Sequence, residues 1–207
     1  MVNKTFWISF VFSIIGFINI ILYAMLSFFK IFNYGNIVYL FLMLYFFIVW
    51  IPFLLHIFFK IEFSIKILIF YQIFMFLADV IGSVWRVYDY SNLYDKFMHF
   101  LSGVLFAILI FNSLKNNKNN KLNLFWIFLF VFSFSMMIGA FWEILEFGFD
   151  GILGRNAQHW QNLTGREILY DTMFDLISDF LGALLGGIVS IFIEKKSKRL
   201  KVINYKA

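Results

Sequence analysis

Acidic side chains recur at helical spacing inside segments that are otherwise hydrocarbon. Asp171, Asp175 and Asp179 are four residues apart, and Glu143, Glu146 and Asp150 are three and four apart. On an α-helix each set forms a stripe. Asp95 and His99, also four apart, share a face of a third segment. Carboxylates with an imidazole are ligands for hard and borderline divalent cations. A water bound to such a cation beside a spare carboxylate makes a hydrolytic centre. Crowded acids also hold protons more tightly, so a shared-proton pair is a second chemistry open to the same residues. We expect Asp95, His99, Glu143 and Glu146 as metal ligands, with Asp175 or Asp179 as base or as a partner behind the ligands. Lys96, Arg155 and Arg166 are placed to meet an anionic group of a substrate. No stretch matches a hydrolase signature such as H-E-x-x-H or G-x-S-x-G.

These residues must be positioned by membrane helices. Of the 207 residues 62% are hydrophobic and 14% charged, against about 25% charged in a soluble protein. Six stretches approach the roughly 20 apolar residues that cross a bilayer. They run from about 5 to 29, 37 to 59, 65 to 85, 96 to 114, 124 to 149 and 170 to 193. The first is too long for a signal-peptide core and is read as a membrane helix. Pro52, the one proline, should kink the second. The expected fold is an all-α polytopic bundle, one membrane domain over 1–207 with a basic cytoplasmic tail over 194–207. The segment 150–169 is long enough to fold over a site. There is no cysteine, which excludes thiolate metal sites and disulfides.

Basic residues set the orientation. With both termini cytoplasmic, twelve basic residues face inward and five outward. Ten of the twelve acids then fall on the outer side, leaving only Glu62 and Glu194 within. Asp179 lies roughly 15 Å along the sixth segment, near the bilayer centre, where an ionised side chain is costly. Gly182 and Gly186 continue its face and suit a close helix contact. Asp79 stands seven residues before Arg86, a spacing that allows a structural ion pair. His56 reads as structural. His159, with Gln158 and Gln161, reads as a polar loop that is also able to cover a ligand. The net charge of +5 follows topology and anionic lipid contact rather than nucleic acid.

The stretch Tyr94-Asp95-Lys96-Phe97-Met98-His99-Phe100, with Phe141-Trp142-Glu143-Ile144-Leu145-Glu146-Phe147 and Asp171 through Asp179, resembles bacterial inner-membrane proteins of the YjdF type. Those are similar in turn to the VanZ-like family. The resemblance covers roughly residues 75–190 and implies a multi-pass protein of the bacterial cytoplasmic membrane with an acidic/His signature. Neither family brings an established activity. Asp179, where the VanZ-like pattern has a polar Asn, and the extra Glu143 argue against direct glycopeptide resistance.

Three functions fit these residues. The first is divalent-metal-dependent action on a lipid-linked or cell-envelope substrate. The second is an ion-coupled transporter with the acids of the last segment as its path. The third is an accessory membrane protein whose polar network holds helices together. The expected partners are membrane lipids and such a substrate, with no nucleic acid and no cofactor besides the metal.

Overall fold

The computed structural model describes residues 2–28, 43, 45–116, 122–154 and 156–206. All regular structure among them is helical, as expected where no water is available to pair with exposed backbone. Helix α1 spans Val2–Phe28 and α2 Ile51–Phe59. Helix α3, Ile65–Met75, runs on through a π-helical stretch, Phe76–Val84. The short α4 is Val87–Tyr90, and α5 is Asn92–Asn116. Helix α6 is Leu124–Leu153, and α7 is Tyr170–Lys206 after a 3-10 turn at Gly165–Leu169. Among the described residues five stretches are long and apolar enough to cross a membrane: Lys4–Leu26, Ile65–Val84, Asn92–Lys115, Leu124–Ile152 and Gly165–Lys196. The expected segment 37–59 lies partly outside the described residues. Its described part, Tyr45–Phe59, is apolar but shorter.

The helices gather into two compact units, Met1–Asp95 and Lys96–Ala207. In the first, Pro52 sits in the opening turn of α2. It has no N–H, so the carbonyl of Ile48 has lost its helical donor. The Tyr71 hydroxyl donates to that carbonyl at 2.8 Å, and Gln72 Nε2 donates to the carbonyl of Val49 at 2.7 Å. Gln72 is fully buried and also reaches Ser9 Oγ at 3.3 Å. Tyr45, Val49 and Val80 form the core here, packed by Phe12, Met75 and Trp85. At the end of α2, Lys60 adopts a left-handed conformation and His56 Nδ1 lies 2.9 Å from the Ile61 carbonyl. His56 therefore serves the chain reversal.

The π-helical stretch ends where the Trp85 N–H donates to Val80, five residues back, at 3.0 Å. Arg86 then turns left-handed, with φ 60°. The helix face shared by Asp79 and Arg86 stops there, so the expected pair does not form. Arg86 pairs with Asp89 instead. Asp79 has no hydrogen bond or ion pair among the described residues.

The second unit is built from α5 beyond Lys96, α6 and α7. Its lower half is hydrocarbon: Ala107, Phe111, Ile127 and Val131, with Ile110, Leu114 and Ile191 against them. Above this, α5 and α7 touch backbone to backbone. A Cβ at Gly103 would lie 2.6 Å from the Asp179 carbonyl oxygen, and one at Gly182 would strike the Phe100 carbonyl. Ser135 Oγ on α6 donates to the Gly103 carbonyl at 2.7 Å. This small-residue crossing brings the acids of α7 against His99 on α5.

Candidate functional site

Spacing of four advances a helical position by about 40°, so Asp171, Asp175 and Asp179 drift only slowly around α7. All three face inward and are 7%, 0% and 1% exposed. Lys96 on α5 donates to Asp171 Oδ1 and, at 2.8 Å, to Asp175 Oδ2. One turn further along α5, His99 Nδ1 lies 3.1 Å from Asp179 Oδ2. Ser102 Oγ donates to the other oxygen, Asp179 Oδ1, at 2.9 Å. Gly139 on α6 makes room for this carboxylate, since a Cβ there would strike it. Asp179 is thus held by a hydroxyl and an imidazole.

Carboxylates flank both ring nitrogens of His99. The Asp179 carboxylate beside Nδ1 favours a proton on Nδ1, which leaves the lone pair on Nε2. Nε2 faces Glu143 Oε1 at 3.6 Å and Asp175 Oδ1 at 3.8 Å. Two ligands of one cation, bound at about 2.0–2.2 Å with a tetrahedral angle, lie about 3.3–3.6 Å apart. Asp95 ends the first unit, and the unbroken helix α5 places it one turn before His99.

Glu143 stands apart from the other acids. It is 5% exposed, and no hydrogen bond of good geometry reaches its oxygens among the described residues, although the Gln158 side chain and the His99 ring interact favourably with it. Asp171 and Asp179 are fellow anions in its field. Burying a carboxylate without donors is strongly unfavourable. Among the described residues the site holds acceptors in excess of donors: Glu143, Asp171, Asp175 and Asp179 are all buried, and Lys96 pairs with two of them, Asp171 and Asp175.

The segment after α6 closes over these residues. Asp150, 6% exposed, accepts the Ala157 N–H at 2.6 Å and the Gln158 N–H at 3.0 Å. Gln158 Nε2 then donates to Thr172 Oγ1 at 3.0 Å and to the Glu143 carbonyl at 3.4 Å. His159, with φ 47°, comes within 4.8 Å of the Asp171 carboxylate.

The structure therefore brings His99, Glu143, Asp175, Asp179 and Lys96 together. Glu146 is not among them. Glu143 and Asp150, seven residues apart, nearly eclipse on α6, whereas Glu146 is rotated about 60° away. Its Oε1 accepts from Trp142 Nε1 on its own helix at 2.7 Å. Lys96 is engaged by two aspartates. Arg166 is exposed and lies 6.0 Å over the Tyr170 ring. Arg155 lies outside the described residues. Ser102 and Thr172 were not anticipated. Ser102 had a signal, since it lies three residues beyond His99 on one face, but a single hydroxyl in an apolar helix commonly bonds its own backbone.

No curated protein and no solved structure matches the chain. A family model described as predicted membrane protein (DUF2238) matches residues 12–196. Together with the membrane-length helices and the buried acidic/His cluster, that match identifies the chain as a member of this DUF2238 family of predicted membrane proteins.

Proposed function

We propose that the second unit is a divalent-cation centre. His99 Nε2 and Asp175 hold the ion. Glu143 takes the proton from the water that the ion binds. The observation that carries this reading is Glu143 itself, a buried carboxylate that no hydrogen bond of good geometry reaches among the described residues, 3.6 Å from His99 Nε2. A cation supplies the missing positive charge and lowers the pKa of its water. Asp179 orients His99, as carboxylates commonly do behind a metal-bound imidazole. The basic-residue count supports six spans with both termini inside, which puts the centre on the outer face of the bacterial cytoplasmic membrane. The resemblance to YjdF-type and VanZ-like proteins supports the same membrane. Metal-dependent hydrolysis of a lipid-linked or cell-envelope substrate is the chemistry that fits. The hydrocarbon packing beneath Asp179 supports a closed centre over a transport path.

The test is Mn²⁺ binding to the purified chain in detergent after chelation. The wild type should bind, His99→Ala should weaken binding of the ion at this centre at least tenfold, and Glu143→Gln should keep it within a few fold. Equal binding by wild type and His99→Ala would overturn the assignment.

A further inference from the structure

Asp171 gives one oxygen to Lys96, and its other oxygen, Oδ2, is buried and accepts no hydrogen bond among the described residues. The residue is 7% exposed. Opposite it stands His159, whose ring has no hydrogen bond among the described residues. A ring nitrogen of His159 lies within 4.8 Å of an Asp171 oxygen, yet the two make no hydrogen bond or ion pair. That gap is too long for a direct bond. It suits two ligands on opposite sides of an octahedral ion, which are about 4.1 Å apart at bond lengths of about 2.0–2.1 Å.

The backbone holds His159 in this place. Its N–H donates to the Asn156 carbonyl at 3.2 Å, and the two residues before it are tied to Asp150. The imidazole is thus presented by an anchored segment.

We infer that Asp171 and His159 form a second cation position, one turn of α7 further out than the first. The inference rests on the centre proposed above and adds to it. Lys96 divides the two positions, since it takes one oxygen from Asp171 and one from Asp175. Charge agrees with the count of ions. Within the second unit, Glu143, Asp171, Asp175 and Asp179 set against Lys96 leave three negative charges, more than one divalent ion balances. The outer ion lies on the loop side, where an incoming substrate arrives. It supplies the positive charge that Lys96, already committed to two aspartates, does not offer. The ligand class for this position is an anionic oxygen donor, a phosphate or carboxylate of the substrate.

The experiment counts ions. The full chain in detergent is stripped with a chelator and titrated with Mn²⁺, and the free ion is followed by its electron paramagnetic resonance signal. Gel filtration and thermal unfolding check that each variant is folded, and His159→Gln accompanies His159→Ala. The expected result is two ions per chain in the wild type, one in either His159 variant and one in His99→Ala. One ion in the wild type, unchanged in both His159 variants and lost in His99→Ala, overturns the second position and leaves the first standing. One ion lost with His159 but kept in His99→Ala supports the outer position and overturns the inner. No bound Mn²⁺ in the wild type overturns both.

Discussion

The two units bury polar side chains for opposite purposes. In the first, buried donors mainly serve backbone carbonyls: Tyr71 serves Ile48 and Gln72 serves Val49, where the chain breaks at Pro52, and Tyr45 reaches the Phe12 carbonyl at 3.3 Å. Gln72 Oε1 is the buried acceptor left over there among the described residues. In the second, carboxylates converge on one another, and donors run short. Both arrangements look alike in composition, as polar residues inside membrane segments. The balance of donors and acceptors separates them: a matched set is architecture, and a surplus of buried acceptors calls for a ligand.

Substitutions in metal-stripped protein can break this contrast. The largest effect is expected for Lys96→Met, which leaves Asp171 and Asp175 buried without their ammonium and should destabilise by about 3–5 kcal/mol. Thermal unfolding in detergent reads it, and an unchanged midpoint would show that the aspartates do not depend on Lys96. Next comes Gln72→Leu, which leaves the Val49 carbonyl bare and should lower stability by about 1–3 kcal/mol. Glu143→Gln should have the opposite sign, raising stability by about 0.5–2 kcal/mol, because it removes a buried charge that lacks a donor. If Glu143→Gln is destabilising by the same assay, the carboxylate is structural and the contrast between the units fails. The smallest change is Tyr71→Phe, at about 0.5–1.5 kcal/mol, read in the same unfolding series.

The helical character and the inward stripe of Asp171, Asp175 and Asp179 are legible in the sequence, because a four-residue period needs only helix geometry. The meeting of His99 with that stripe follows less directly. Gly103 and Gly182 carry it, and only Gly182 stands out as part of a small-residue pattern. Glu146 shares the stripe by its spacing of three, but a spacing of three turns it about 60° from Glu143, and its carboxylate accepts from Trp142 on its own helix. The roles of Lys96, Asp150 and Gln158 depend on partners 75, 7 and 14 residues away, and no local period encodes them. Tyr71 and Gln72 had a signal that went unused: a proline in a membrane segment frees a carbonyl, and a nearby apolar segment must then carry its donor.

That last pairing bears on biogenesis. The carbonyls of Ile48 and Val49 are satisfied by side chains made 23 residues later. A nascent chain released into lipid after Lys60 would carry two bare acceptors through hydrocarbon. Entry of the Pro52 segment together with α3, as a hairpin, spares the chain that cost.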